Sequence, residues 1–166
     1  MSSKKNRFIV EAGVIAALYA ALTYISSALG AAYLGIQFRA SEALCILPLF
    51  TPTAIPGLVI GCALGNLGSP FALYDIVFGT LATLLAAMLT RYLGGFVIKG
   101  FPVFSFLPPV LLNAVIVGAE IALLADTGFS LPLFALSAAQ VAAGEAAVLT
   151  VLGIPLYLVV KKRNIL

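Results

Sequence analysis

Four apolar stretches of this chain are long enough to cross a lipid bilayer as helices, and two shorter ones lie between the first and second of them. A spanning helix needs about 20 apolar residues at about 1.5 Å of rise each. Of the 166 residues, 63% are hydrophobic and 9% are charged, whereas a soluble domain carries about 25% charged residues. Because such a chain cannot cover its surface in water, we expect an all-α integral membrane protein in the lipid bilayer, with one domain over residues 1–166.

The predicted architecture is a bundle of six transmembrane helices. The long helices cover about residues 8–29, 74–93, 103–125 and 133–160. The second helix begins near Ser41 and meets Pro48 and Pro52, and the third, about residues 56–67, is also short. Proline ends or kinks helices, and short or broken helices inside a membrane are tolerated where they line a cavity.

Lysine and arginine predict the orientation of this bundle. Six crossings put the N-terminus, the connection between the fourth and fifth helices and the C-terminus on one side. These regions hold eight of the nine basic residues: Lys4, Lys5, Arg7, Arg91, Lys99, Lys161, Lys162 and Arg163. Because Lys-rich and Arg-rich connections stay on the cytoplasmic side, we expect a multi-pass protein of the cell membrane with both termini cytoplasmic.

Five of the six acidic residues fall in the opposite, outer half of the predicted bundle: Glu42, Asp75, Glu120, Asp126 and Glu145. The same half holds one arginine, Arg39. An ionised side chain at the bilayer centre costs about 2.5–3.5 kcal/mol on insertion scales. Such residues need a partner, a water-filled cavity or a ligand, and they are the first candidates for a binding site.

Glu145 is the acid that no helix end explains, because it lies near the middle of the sixth helix. We interpret it as a ligand-binding residue, and the alternative is a structural ion pair with Arg39. Gln140 is five residues earlier, about 140° around the helix. Only one of the two faces a pocket directly, and their spacing does not decide which.

The other candidate ligands each have a structural alternative. Asn113 and Glu120 are seven residues apart and share one helix face, where they line a pocket or bond to neighbouring helices. Glu42 and Asp75 lie in first helical turns, where an acid is favoured in any case.

Three further polar or aromatic residues sit at helix ends or at the mouth of the predicted site. Asn66 ends the third helix and is a candidate ligand or a helix cap. Phe38 and Tyr74 flank the outer mouth, as membrane-interface anchors or as stacking surfaces for a flat ligand.

Several function classes are excluded or disfavoured by what the sequence lacks. There is no histidine and no GxxxxGK[ST] motif, so a Ser/His/Asp enzyme and a P-loop ATP site are excluded. Cys45 and Cys62 sit in apolar stretches without a metal-ligand spacing. The formal charge of +3 is divided between the chain ends. We therefore expect no catalytic residues, no metal, no cofactor and no nucleic-acid partner.

Small residues recur at spacing four in two helices. The first helix has Ala12, Ala16 and Ala20, and the third has Gly57, Gly61 and Gly65. Such stripes let helix backbones approach closely, either inside the chain or against a partner. Because the alanine stripe lies on a terminal helix, we predict a partner interface there.

Several stretches resemble the QueT family. The most specific is QFRASEAL at residues 37–44, supported by AIPGL at 54–58 and DIVFGTLATL at 75–84. Gly144, Glu145 and the basic C-terminus extend the similarity over nearly the whole chain. This family comprises substrate-binding S components of energy-coupling factor (ECF) transporters, assigned to precursors of queuosine.

The resemblance implies an S-component fold of six helices and an outward-opening site covered by the loop after the first helix, here residues 30–39. It also implies a membrane scaffold subunit, EcfT, gripped partly by an AxxxA pattern that Ala12, Ala16 and Ala20 match, and two ATPase subunits. The expected function is the S subunit of an ECF-type importer, which captures a 7-deazaguanine such as preQ1 for ATP-driven uptake. The alternatives are a self-sufficient oligomeric transporter or channel for a small cationic or planar solute and, less favoured, a membrane enzyme.

The chemistry of a 7-deazaguanine suggests roles for the candidate residues. Its N1–H and exocyclic amine are adjacent donors, which one carboxylate accepts, and we expect Glu145 to take this edge. The O6 acceptor needs a donor, from Asn113, Gln140 or Arg39. Glu42 or Glu120 would face the ammonium group of preQ1, and Phe38 and Tyr74 would cover the ring.

Overall fold

The structure is a computed structural model that describes residues 2–32 and 37–163 of the chain. Within these residues it has six α-helices and no β-strand: α1 (Ser2–Ala28), α2 (Ala54–Asn66), α3 (Ala72–Leu93), α4 (Leu107–Leu124), α5 (Leu131–Val148) and α6 (Ile154–Arg163). Two 3₁₀ helices, Ala40–Leu49 and Val103–Phe106, and a π-helical turn, Leu149–Gly153, complete it. The predicted all-helical class is confirmed.

Four helices of the described chain are long and apolar enough to cross a membrane: Ser3–Ala28, Ala72–Leu93, Val103–Leu124 and Leu131–Arg163. The last of these is α5 and α6, joined by the π-helical turn. Two shorter apolar helices, Ala40–Leu49 and Ala54–Asn66, lie between α1 and α3. Both correspond to the short helices predicted from sequence, but the first is a 3₁₀ helix with Pro48 inside it.

Contacts between distant segments show that successive helical segments alternate in direction. At one end, Thr53 donates to Glu11 over 3.1 Å, and Arg91 donates to the Pro48 carbonyl over 2.9 Å. Lys161 donates to the Gly100 carbonyl over 2.8 Å at this same end, which we call the basic end. At the opposite end, Glu42 pairs with Arg39, Arg39 bonds to Asn66, and Asn66 bonds to the backbone at the start of α3. We call this the acidic end.

The main apolar core lies between α1, the first 3₁₀ helix, α2 and α6. Ile46 and Leu58 are fully buried in it. Toward the basic end, the Tyr157 ring packs against Phe50 and Phe101 with ring centroids 5.5 and 5.1 Å apart. This packing fixes the first 3₁₀ helix against α6, and the other terminus of that 3₁₀ helix carries Glu42, with Arg39 immediately before it.

The backbones of α1 and α2 are in direct contact along the glycine stripe of α2. A Cβ atom on Gly57 would lie 2.8 Å from the Ala12 carbonyl oxygen, and one on Gly61 would lie 2.8 Å from the Ala16 carbonyl oxygen. Ala12 and Ala16 are accordingly buried. The predicted partner interface at the alanine stripe is therefore wrong for these two residues, because their neighbour is α2 of the same chain.

Ala20 is half-buried on the same side of α1. The exposed face of α1 carries a different small-residue stripe, formed by Gly13, Ala17 and Ala21. The sequence could not separate the two stripes, because both have spacing four and they differ only by rotation of the helix about its axis.

Gly61→Ala tests the contact between α1 and α2. The added methyl group meets backbone atoms of α1 that cannot rotate away, so we expect a loss of about 1–3 kcal/mol in stability, as for other overpacked sites. The measurement is thermal unfolding of the purified protein in detergent, followed by circular dichroism. Gly13→Ala is the matched control, because its Cβ would have no neighbour within 4 Å. Equal unfolding temperatures for the two variants would contradict the packing.

Candidate functional site

A small cavity at the acidic end brings together residues from three separate parts of the chain. Its free volume is about 10 Å³, enough for about one water molecule, and it lies between the start of the first 3₁₀ helix, α4 and α5. Its lining consists of Gln37, Arg39, Glu42, Asn113, Val117, Val141 and Glu145. Four of the residues predicted to bind a ligand, Arg39, Glu42, Asn113 and Glu145, therefore share one cavity.

Both carboxylate oxygens of Glu42 have partners in the structure. The Tyr19 hydroxyl donates to Oε1, and the Cys45 thiol donates to Oε2 over 3.1 Å. The Nε atom of Arg39 lies 3.7 Å from Oε1. Glu42 is buried and is bonded to α1 as well as to its own helix. These contacts fix its position in the cavity wall.

The guanidinium of Arg39 is buried beside Glu42 and bonded to α2. Its Nη1 donates to Oδ1 of Asn66 over 2.6 Å, and Asn66 in turn donates to the backbone carbonyl of Asp75 over 2.9 Å. A buried charge needs both a counter-ion and hydrogen-bond partners, and Arg39 has both. Asn66 therefore orients Arg39 and ties α2 to α3.

Glu145 is buried on α5 and bonded to α4. Its Oε1 accepts a hydrogen bond of 2.7 Å from Nδ2 of Asn113, which also donates to the Pro109 carbonyl over 2.9 Å. Within the described residues, the ion pair that Arg39 forms within 4 Å is with Glu42. The structural alternative for Glu145, a direct ion pair with Arg39, is therefore not formed.

The electrostatics of the cavity favour a ligand that donates hydrogen bonds. Two carboxylates, Glu42 and Glu145, face one guanidinium, which gives the lining a formal charge of −1. Hydrogen bonds with an ionised partner are shorter and stronger than neutral ones. Val117 and Val141 supply the apolar part of the lining, so the cavity combines polar edges with aliphatic faces.

The backbone before Arg39 covers this cavity tightly. A Cβ atom on Gly144 would overlap the carbonyl oxygen of Gln37. Phe38 N–H donates to the Ala31 carbonyl over 2.8 Å, which closes the base of the loop. Part of the predicted covering loop, residues 33–36, lies outside the described residues. We call residues 37–39 the cover.

A second pocket, of about 290 Å³, lies at the acidic end between the start of α3 and the end of α4. Its lining is Phe71, Asp75, Glu120, Ile121, Leu124, Ala125 and Asp126. The structure thus separates Asp75 and Glu120 from the other predicted ligands. Asp75 accepts a hydrogen bond from the Ser69 hydroxyl.

Besides Asp75 and Glu120, four of the predicted site residues do not line the first cavity. Asn66 contributes through its hydrogen bond to Arg39. Phe38 and Tyr74 are each 47% exposed, and Phe38 lines an apolar groove with Val148 and Val151 on the outside of α5. Gln140 is half-buried and is not among the residues that line the cavity. Of the pair Gln140 and Glu145, the structure brings Glu145 to the cavity.

The structure also adds residues that the sequence reasoning did not select. Tyr19 holds Glu42, and Val117 and Val141 line the cavity. Tyr19 had a usable signal, because a tyrosine inside an alanine-rich apolar helix needs a partner for its hydroxyl when it is buried. The valines had none, since apolar residues fill every helix of this chain.

One known protein family matches nearly the full length of this chain. The family model of the QueT transporter matches residues 9–162. Neither a search of curated proteins nor a search of solved structures found a match. The model's match covers nearly all of the four span-capable helices and every residue that lines the two pockets. The chain belongs to the QueT transporter family.

Proposed function

We propose that this chain is the substrate-binding S subunit of an ECF-type importer, which captures a 7-deazaguanine queuosine precursor such as preQ1 on the outer face of the cell membrane. The observation that carries the proposal is the cavity in which Arg39, Glu42, Asn113 and Glu145 meet. A transporter family and a buried, hydrogen-bonding cavity inside apolar helices are what such a subunit requires.

The proposed topology has six membrane crossings and both termini in the cytoplasm. It is supported by the four span-capable helices, the two short apolar helices and the alternation of their directions. Arg7, Arg91 and Lys161 lie at the basic end, which fits the excess of Lys and Arg on cytoplasmic sides. The cavity and the cover then face the outside.

The ring edge of the ligand fits Glu145. A 7-deazaguanine presents N1–H and its exocyclic amine side by side, and one carboxylate offers two matching acceptors. Asn113 already donates to Glu145 over 2.7 Å, so its amide is placed to turn toward O6 when the ring edge replaces it. Once the cavity has opened, Val117 and Val141 would supply aliphatic surfaces for the two flat faces of the ring.

Ligand capture requires the cover to move. The cavity, at about 10 Å³, is far smaller than the about 300–1,000 Å³ of most small-molecule pockets. The Gln37 carbonyl rests on Gly144 of α5, so lifting residues 37–39 opens the cavity from the acidic end. We propose that the loop of residues 30–39 opens to admit the ligand and closes over it.

The energy for transport would come from partners, EcfT and two ATPase subunits, because the chain has no P-loop motif. We propose the exposed stripe of Gly13, Ala17 and Ala21 as the face of α1 that packs on EcfT. Small residues on a lipid-facing surface allow the close backbone approach that membrane helix pairs use.

Glu145→Gln tests the assignment of the ring edge. The substitution keeps the shape but turns one acceptor into a donor against the donors of the ring, so binding should weaken by about 1–3 kcal/mol, or about 5- to 150-fold. Calorimetric titration of preQ1 and of its nitrile analogue preQ0 measures this, and both ligands should be affected. Glu11→Gln, at the basic end, is the control. Unchanged affinity in Glu145→Gln would sink the assignment.

Gly144→Ala tests the cover. The new methyl group overlaps the Gln37 backbone, so the cover should be displaced. The backbone amides of Phe38 and Ala40 donate to Ala31 and Ser26, respectively. Because displacement breaks these hydrogen bonds, we expect both amide hydrogens to exchange with solvent about tenfold faster or more. Hydrogen–deuterium exchange with mass spectrometry measures the exchange rate of the peptide that contains these two amides. Gly95→Ala, whose Cβ has no neighbour within 4 Å, should leave it unchanged. Identical exchange in both variants would refute the contact.

A further inference from the structure

The second pocket contains a carboxylate that the protein itself leaves unsatisfied. Glu120 lines this pocket and is 2% exposed, and within the described residues neither of its carboxylate oxygens accepts a hydrogen bond from a donor group of the protein. The group that interacts with it is the carboxyl group of Asp75. Buried polar groups are almost always paired, and leaving one unpaired costs about 1–3 kcal/mol or more for a charged group. An unpaired carboxylate aimed into a pocket indicates a ligand that donates to it.

Two further acidic residues near Glu120 add to the need for a ligand that donates hydrogen bonds or carries positive charge. Asp75 lines the same pocket with one carboxylate oxygen bonded to Ser69, and Asp126 stands exposed at the rim. Within residues 2–32 and 37–163, no lysine or arginine nitrogen lies within 4 Å of these three carboxylates. Even when Glu120 and Asp75 share one proton, the pocket carries two formal negative charges that no close cation neutralises.

This pocket is distinct from the cavity that holds Glu145. The two share α4 as a wall, but no residue lines both. Val117 faces the first cavity, and Glu120, three residues and about 4.5 Å further along the helix, faces the second. A group bound at Glu120 therefore lies nearer the end of α4 and nearer the outside in the proposed topology.

The lining selects an organic cation over a metal ion. Phe71, Ile121 and Leu124 make much of the wall apolar, whereas Mg²⁺ and Ca²⁺ require about six oxygen ligands. No group of three or more metal-ligating side chains is arranged to hold a metal within the described residues. A primary ammonium group has three N–H donors, which two carboxylates can accept, and the Phe71 ring adds a surface that attracts cations.

We propose that the Asp75–Glu120 pocket is a separate vestibule that binds the ammonium group of an organic amine before the solute reaches the inner cavity. This proposal depends on the proposed function in one respect only, namely that the bound amine is part of the transported solute. Sequence reasoning left Glu42 and Glu120 as alternatives for that amine. The structure favours Glu120, because the carboxylate of Glu42 is already engaged. It accepts hydrogen bonds from Tyr19 and Cys45 and pairs with Arg39.

A small fluorinated amine tests the vestibule without any transported ligand. Binding of 4-fluorobenzylamine and of 4-fluorobenzyl alcohol to the purified protein is followed by ¹⁹F NMR line broadening and shift. The two probes differ in charge and resemble each other in shape. We expect the native protein to bind the amine at least about tenfold more tightly than the alcohol, since one lost charged hydrogen bond is worth about 1.5–3 kcal/mol.

Variants locate the site of this binding. Glu120→Gln and Asp75→Asn should each remove the preference for the amine, while Glu145→Gln should retain it. Glu11→Gln, at the basic end, is the matched control for the loss of one carboxylate, and helical content by circular dichroism checks that each variant folds. Equal binding of amine and alcohol to the native protein, or an unchanged preference in Glu120→Gln, would overturn the proposal.

A parallel titration with preQ1 separates this inference from the proposed function. Amine binding that depends on Glu120, together with no binding of preQ1, would reject the 7-deazaguanine substrate and support the vestibule. The reverse pattern, tight binding of preQ1 that depends on Glu145 together with equal binding of the amine and the alcohol, would support the substrate and reject the vestibule. If both hold, Glu120→Gln should slow the association of preQ1 more than that of the uncharged preQ0.

Discussion

The buried pair of Arg39 and Glu42 is the interaction on which the acidic end of this protein depends. Their charged atoms lie 3.7 Å apart, with 6% and 3% of each residue exposed. Two charges removed from water cost several kcal/mol each unless good geometry and further hydrogen bonds offset it. Tyr19, Cys45 and Asn66 supply those bonds, so one ion pair ties together α1, the first 3₁₀ helix and α2, and through Asn66 the start of α3.

Such a network forms only if the helix backbones come close, and glycine makes that possible. Gly57 and Gly61 bring α2 against the face of α1 that carries Tyr19, and Gly79 admits the Asn66 side chain against α3. Gly118 brings α4 against α5, and this places Asn113 within 2.7 Å of Glu145. Packing and polar chemistry are therefore coupled, because a wider helix spacing would leave buried charges without partners.

Much of the helical architecture could be predicted from sequence, because apolar runs of about 20 residues have few other solutions. The cost of charge in a membrane likewise selected Arg39, Glu42 and Glu145, together with Asp75 and Glu120, which the structure places in a second pocket. What sequence could not supply was helix rotation. The choice between Gln140 and Glu145 depends on it, as does the choice between the two small-residue stripes of α1. The directions of Phe38 and Tyr74 were equally out of reach, since an aromatic residue near a helix end suits either a lipid interface or a ligand.

The central claim is that a flat, hydrogen-bonding ring occupies the cavity between α4, α5 and the first 3₁₀ helix. A structure of the protein determined by cryo-electron microscopy or crystallography with preQ1 bound tests it most directly. The account predicts the ring between Val117 and Val141, its N1–H and exocyclic amine within about 3.2 Å of the Glu145 carboxylate, and the Glu42–Tyr19 contact unchanged. A ligand bound elsewhere, with the Asn113–Glu145 hydrogen bond intact and Val117 still against Val141, would contradict it.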